Sequence, residues 1–405
     1  MSGPSIIIVG ASLAGLRTAE AIVALRPDAR VTLVGAESHP PYNRPPLSKE
    51  AIQALADGSA PPDAVFEKLL LRSRLNPEDV NLRLGRAVTG VESDGVRLSD
   101  GSLVRGEWII AATGLRPRRL PIPGMESVRH VLRSFDDAQG LAAELQPGKR
   151  LLIVGAGFIG CEIAATARKL GLSVTLVDPT PQPMLKALGA RVAAAMAQLH
   201  RANGVHLILG RFVESFTDGS AILDDGQRIE TDLVVEAMGS RPNTEWLSGT
   251  GADLEDGVLV DGRMVAAGTE NLLAVGDVAR FPNPIFDTVP RRVEHWSIPG
   301  VTAKRAAESI AALTDGKEPD AAFAPMPSFW SDQYGMRLQA FGAPTLAETQ
   351  TVIEGDLSRV GTEPVIVEYA RDDRIVGIVG LGANPASLAK HRSRIADAST
   401  PFAAV

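Results

Sequence analysis

The 405-residue chain has a single cysteine, Cys161. One thiol cannot close an intrachain disulfide, so a disulfide-stapled extracellular scaffold is excluded. Paired-thiol redox chemistry is excluded with it. Aromatic residues make up only 4%, so the position of each of the four tryptophans carries weight. No apolar run reaches the ~18 residues that a membrane helix needs. Positive charge is not in excess either: 41 Lys and Arg stand against 48 Asp and Glu, a net charge of −7. That argues against a nucleic-acid binder, which usually shows a basic surplus. The first residues lead straight into a strand pattern without the features of a secretory signal, so the cytoplasm is the expected compartment. The histidines (His39, His130, His200, His206, His295, His391) do not cluster with acids or Cys161. No metal site and no nucleophile elbow are expected.

What is present is an ordinary globular composition, long enough for two to three domains at roughly 150 residues each. Ser5–Gly10 is a continuous apolar run, the mark of a buried parallel strand. Leu13–Leu25 has helical periodicity, and Arg30–Val34 is a second buried strand, which completes a βαβ unit. Pro40–Lys49 reads as a rigid proline-rich loop, and Ala54–Asp63 as a surface connection. Val80–Arg105 reads as an antiparallel meander with Asp-Gly turns. Trp108–Ala112 is again a buried strand. The order then repeats. Leu151–Val154, Phe158–Leu170 and Ser173–Val177 form a second βαβ unit. Arg191–Ala202 is helical and Val205–Leu209 a strand. A meander from Arg211 to Arg228 leads to strand Leu233–Ala237. Each half ends in a Gly-Xaa-Arg-Pro element, Gly114–Pro117 and Gly239–Pro242. Leu272–Val275 is a further strand and Pro299–Leu313 a helix. Beyond Pro325 come strands at Arg337–Gly342, Thr349–Ile353, Val365–Tyr369 and Ile375–Leu381, then a helix at Pro385–Ala398.

Two glycine turns carry the chemistry. Gly10-Ala-Ser-Leu-Ala-Gly15 follows a strand, opens a helix, and is followed by Glu37 at the end of the next strand. Glycines allow the tight turn and the close approach of a pyrophosphate to the helix N-terminus, and the acid binds ribose. Ser12 stands where the middle glycine is expected, so its Cβ crowds the phosphate. Gly155-Ala-Gly157-Phe-Ile-Gly160 is the complete fingerprint, with Asp178 near the expected distance of about 20 residues. Asp178 repels a 2′-phosphate, and no Arg or Lys lies between it and Lys186. NADH is therefore expected over NADPH. Two dinucleotide sites in one chain suggest one resident flavin and one exchanging nicotinamide.

The motifs GASLAG, YNRPPLSK, AATG, LRSFDDA, GAGFIGCEIAA, LLAVGD, VEHW and FWSDQY run from Gly10 to Tyr334. Together they resemble the FAD-dependent ferredoxin reductases that serve bacterial cytochromes P450 and Rieske-type dioxygenases. The resemblance implies an α/β fold with two Rossmann-like dinucleotide-binding domains, the NAD domain inserted in the FAD domain, and an α+β C-terminal domain. The expected boundaries are 1–114 and 242–320 for FAD, 115–241 for NAD and 321–405 for the last domain. It implies tight, non-covalent FAD. Lys49 would lie by flavin N5, paired with Glu162, and Trp330 at the edge of the flavin ring. Gly10, Ser12, Ala14, Gly15, Glu37, Arg44, Lys49, Val88, Thr113, Gly114, Arg133, Gly276, Asp277, Glu294, His295 and Trp296 would serve cofactor binding, chiefly FAD. Gly155, Gly157, Gly160, Asp178 and Gly239 would complete the cofactor-binding set on the nicotinamide side.

The chain lacks the cysteine pair with which the superfamily's disulfide reductases follow their first helix. Cys161 is expected to be a small buried residue, not a nucleophile. Electrons would then leave the flavin directly, one at a time, to a [2Fe–2S] ferredoxin and through it to a P450 or Rieske oxygenase. Lys304, Arg305, Lys390, Arg392 and Arg394 are candidates for a local basic docking face. A different acceptor (rubredoxin or a quinone) or a redox-sensor role like that of apoptosis-inducing-factor relatives are the alternatives.

Overall fold

The structure, a computed structural model, describes residues 3–397. Its first sheet is five-stranded and parallel, in the order Leu272–Ala274, Trp108–Ala111, Ser5–Val9, Arg30–Val34, Val80–Arg83. Ile6, Ile7 and Ile8 are all buried, because helices and the antiparallel meander that contributes Val96, Leu98 and Val104 to the same core leave the sheet no polar side. Helices Leu13–Leu25 and Ile298–Thr314 share one hydrophobic core with this sheet, through Ala19, Ile22, Ala306 and Ile310.

A second parallel sheet repeats the plan, in the order His206–Leu209, Ser173–Asp178, Arg150–Val154, Leu233–Glu236, Arg129–His130. Each sheet carries a three-stranded antiparallel meander before its returning strand: Val88–Glu92, Gly95–Leu98 and Leu103–Arg105 in the first half, Val213–Thr217, Ser220–Leu223 and Arg228–Glu230 in the second. The two Gly-Xaa-Arg-Pro elements pair with each other. Leu115–Pro117 and Ser240–Pro242 form an antiparallel ribbon with Arg116 opposite Arg241. The chain thus leaves the first sheet and returns to it through two adjacent strands.

The third unit is a five-stranded antiparallel sheet, Ser328–Gln333, Met336–Gly342, Arg374–Leu381, Val365–Arg371 and Thr349–Glu354, backed by helix Pro385–Asp397. Its core is continuous with that of the second sheet. Ala398, the expected end of the last helix, lies outside the described residues. Among the described residues no helix is long and apolar enough to cross a membrane.

Three sequence expectations are corrected. Ala54–Asp63 is not a plain connection, because the end of helix Glu50–Ala56 and the start of helix Pro62–Leu69 occupy half of it. Pro62 suits the first turn of a helix, whose N–H groups lack partners anyway, and Val65 and Leu69, one turn apart, bury the inner face. Val80–Arg83 is the edge strand of the first sheet, not the start of the meander. The helix expected from Arg191 begins at Leu185 and kinks at Gly189 (φ 67°), where a Cβ would lie 1.8 Å from the Gln350 amide.

Candidate active site

Residues of both glycine motifs line one cleft of about 800 Å³, Ser12 and Ala14 from the first and Phe158 and Ile159 from the second, and Phe329 and Trp330 of the C-terminal sheet line it as well. In the first turn, Gly10 has φ 118°, and a Cβ there would stand 2.2 Å from the Ala112 carbonyl oxygen. A Cβ at Gly15 would stand 1.9 Å from the Gly10 carbonyl oxygen. Ser12 is the N-cap of helix Leu13–Leu25 and accepts a hydrogen bond from Arg44 Nε (3.3 Å). Its place in the motif is thus tied to the proline-rich loop. Arg44 also pairs with Glu37 (2.5 Å) and donates to the Arg133 carbonyl (2.7 Å). Tyr42 donates to the other oxygen of Glu37 (2.6 Å). Ala14, Gly114, Arg133 and Asp277 lie on the cleft wall. The Asp277 carboxyl is pushed up by burial, against the pull of Arg133 3.6 Å away.

The second turn is a copy of the first. A Cβ at Gly155 would lie 2.3 Å from the Ala237 carbonyl oxygen and one at Gly160 2.0 Å from that of Gly155, whereas one at Gly157 meets nothing. That open space at a helix N-terminus suits a pyrophosphate. Asp178 accepts from the backbone N–H of Ala156 and Thr180, both at 2.7 Å, which fixes its carboxylate beside the turn.

Lys49 and Glu162 meet on the cleft wall at 2.8 Å, with both side chains largely buried. Lys49 also donates to the Pro45 carbonyl (3.0 Å). Glu162 accepts from Ser48 on one oxygen and from Ser331 (2.6 Å) on the other. Trp330 lines the same cleft and meets Trp296 edge-on at 5.6 Å. Trp296 is exposed and donates to Asn43 (3.1 Å). His295 packs on Phe329 at 4.7 Å, and burial pulls its pKa down to about 4. Its Nδ1 is buried on the cleft wall without a protein partner, as expected of a group awaiting a polar ligand. Glu294 pairs with Arg292 (2.7 Å) beside the start of helix Ile298–Thr314, whose Pro299 also lines the cleft.

Not every residue singled out from the sequence stands on this wall. Val88 lies in the first meander, opposite Leu98. Thr113 donates to the Asn243 carbonyl (2.7 Å) at the crossing between the two sheets, and Gly239 lies in the same region. Gly276 packs on Ala14 and donates its N–H to Thr302 (3.0 Å). Arg305 is corrected as a docking candidate. It is clamped by the carbonyls of Asp320 and Ala322 and stacked on Phe323. Ser48 and Ser331 were missed. Ser48 adjoins Lys49, and Ser331 falls on the opposite face of its strand from Trp330, a period-two signal.

Two parallel sheets that each present a glycine turn to one shared cleft define a two-dinucleotide oxidoreductase. The chain belongs to the pyridine nucleotide-disulphide oxidoreductase family, whose model matches residues 4–298, and residues 328–405 match the reductase C-terminal family. It is 34% identical over 368 residues to the ferredoxin–NAD(+) reductase component of the anthranilate 1,2-dioxygenase system of Burkholderia cepacia, covering 89% of this chain and 86% of that one. Putidaredoxin reductase of Pseudomonas putida is 32% identical over 391 residues, covering 92% and 87%. The crystal structure of the covalent putidaredoxin reductase–putidaredoxin complex superposes with a TM-score of 0.87 at 29% identity, covering 98% of this chain and 94% of that one.

Proposed function

We infer that this chain is a flavin-dependent ferredoxin–NAD(+) reductase, which takes electrons from NADH and delivers them to a [2Fe–2S] ferredoxin serving a P450 or Rieske oxygenase. One observation carries the reading: both dinucleotide turns open on a cleft that contains the Lys49–Glu162 pair and, among its lining residues, no cysteine. Cys161 is fully buried, and burial pushes its thiol far above the ordinary range, so it offers no thiolate.

FAD would lie along the first turn, with Glu37 at its ribose and Arg44, Arg133 and Asp277 along its length. When bound it supplies a hydride acceptor that can release electrons singly. The protein's part is to position the two rings and shape the field around them. Lys49 places an ammonium at the ring, held there by Glu162. Trp330 and Trp296, both on the cleft wall, would flank the ring. Gly157 admits the NADH pyrophosphate, and Asp178 takes its ribose.

NADH is favoured over NADPH because the Asp178 carboxylate, held beside the second turn, would repel a 2′-phosphate. Arg211, close in the fold, is turned toward Asp225 (2.8 Å) and Asp224 (3.7 Å). FAD binding is tight and non-covalent, since residues from Ser12 to Trp330 surround the site. A single buried thiol suits the reducing cytoplasm.

The test is an anaerobic titration with NADH and then NADPH, followed by mixing with a [2Fe–2S] ferredoxin, a rubredoxin or a quinone. Bleaching by NADH and rapid reoxidation by ferredoxin are expected. A colourless protein that takes up no FAD overturns the reading, and fast turnover with quinone alone redirects it to another acceptor.

A further inference from the structure

The Lys49–Glu162 pair has a second side, away from the cleft. Ser331, Gln333 and His200 are fully buried, and with Tyr334 they form an unbroken run of hydrogen bonds that ends on Glu162. Tyr334 Oη lies 2.8 Å from His200 Nδ1, and His200 Nε2 lies 2.9 Å from Gln333 Oε1. Gln333 Nε2 lies 3.0 Å from Ser331 Oγ, which lies 2.6 Å from Glu162 Oε1.

Chemistry fixes the direction of every donor. A carboxylate only accepts, so Ser331 gives its one proton to Glu162. The Ser331 oxygen then accepts from the Gln333 amide nitrogen, which turns the Gln333 carbonyl toward His200. His200 must donate from Nε2. A neutral imidazole carries one N–H, so Nδ1 accepts and the Tyr334 hydroxyl donates. His200 is neutral here, its pKa pulled down to about 4 by burial. Four donors therefore point the same way, toward Glu162, and in a low-dielectric interior they polarise one another. The chain crosses the molecule. His200 and Glu162 belong to helices beside the second sheet, Ser331 and Gln333 to the C-terminal sheet, and Ser48, which also donates to Glu162, to the loop that carries Lys49.

We propose that Ser331, Gln333 and His200 are positioning residues whose aligned donors share the charge of Glu162 and so set how much of the Lys49 field reaches the flavin. This rests on the placement of FAD beside Lys49 given above. With the chain intact, Glu162 draws part of its compensation from Ser331 and leaves the ammonium freer to stabilise a reduced, negatively charged flavin. With the chain cut, Glu162 draws more fully on Lys49, and the reduced flavin loses support.

The test is the flavin midpoint potential of the FAD-loaded protein at fixed pH, by dye-coupled reductive titration. Ser331→Ala is expected to lower it by the equivalent of about tenfold in the oxidised-to-reduced equilibrium, about 30 mV for a two-electron couple. Gln333→Leu, one bond further out, lowers it by less. Glu162→Gln, which removes the opposing charge, moves it the other way. Tyr369→Phe is the control. It deletes a buried hydrogen bond between the same two units, from Tyr369 Oη to the Leu188 carbonyl at 2.6 Å, that lies outside the chain. It is expected to leave the potential unchanged. A wild-type potential in both Ser331→Ala and Gln333→Leu, or an equal shift in Tyr369→Phe, overturns the proposal. Protein that binds no flavin overturns the cofactor placement as well, whereas slow ferredoxin reduction at the expected potentials overturns only the choice of acceptor.

Discussion

At the scale of single residues, a buried charge is stable where a partner meets it. Lys49 and Glu162 are the clearest case, because removing one partner leaves the other buried and uncompensated. Glu162→Ala is expected to cost roughly 3–5 kcal/mol of stability, whereas Lys49→Met with Glu162→Leu recovers most of it. Chemical denaturation of the single and double variants measures the difference, and equal losses would remove the ion-pair account. His200 makes a pH prediction. Its pKa is about 4 when folded and near the ordinary 6.5 when unfolded. Between those values the unfolded chain binds a proton that the folded chain does not. Stability therefore falls as pH drops through that window, by up to about 1.4 kcal/mol per unit. The loss is complete below about pH 4. Subtracting the melting curve of His200→Gln from that of the wild type, from pH 7.5 down, isolates this contribution from that of His295. Parallel curves would show that His200 does not stay neutral in the fold.

At the scale of elements, the strand–turn–helix with its glycines is the unit the molecule uses twice. The two outer glycines and the middle one play separable parts. Gly160 allows helix Phe158–Lys169 to pack against the turn, since a Cβ would meet the Gly155 carbonyl oxygen at 2.0 Å, whereas Gly157 has empty space before it. Gly160→Ala is expected to lower the melting temperature by several degrees. Gly157→Ala should keep it and raise KM for NADH roughly tenfold, a loss of about 1.4 kcal/mol of binding. Thermal melts beside NADH kinetics separate the two, and a melting change in Gly157→Ala would refute the division. These turns were legible in the sequence because buried parallel strands are apolar throughout and end in glycine. The central strands of both sheets fell within a residue or two of their places for that reason, whereas the edge strands Val80–Arg83 and Arg129–His130, short and partly polar, did not. The helices Glu50–Ala56 and Pro62–Leu69 were not legible, because their small residues and prolines look the same in a loop as in a first helical turn. In the site, Lys49, Glu162 and Trp330 were reached through motif resemblance. The Ser48, Ser331, Gln333 and His200 shell was not, because Ser48, His200 and the strand that carries Ser331 and Gln333 are distant in sequence and only packing joins them.

At the scale of the whole molecule, charge poses a problem for the proposed partner. The chain carries a net charge of −7. An acidic ferredoxin is therefore repelled at long range and needs local cations to approach. The candidates do not contribute equally. Arg305 is spent on backbone carbonyls, and Arg394 is paired with Glu368 at 2.5 Å. Lys304 is 76% exposed and meets Glu308 only at 3.8 Å, and Lys390 is exposed on the last helix. Arg392 is exposed but lies over the Phe341 ring, so Lys304 and Lys390 are the candidates to test first. Reversing both, with Lys304→Glu and Lys390→Glu, is expected to raise KM for ferredoxin several-fold at low salt. The effect should shrink as the Debye length falls to about 8 Å near physiological ionic strength. Turnover with ferricyanide and KM for NADH should stay at wild-type values, because neither lysine lines the cleft. Ferredoxin kinetics that are the same in variant and wild type at every salt concentration would place the docking face elsewhere.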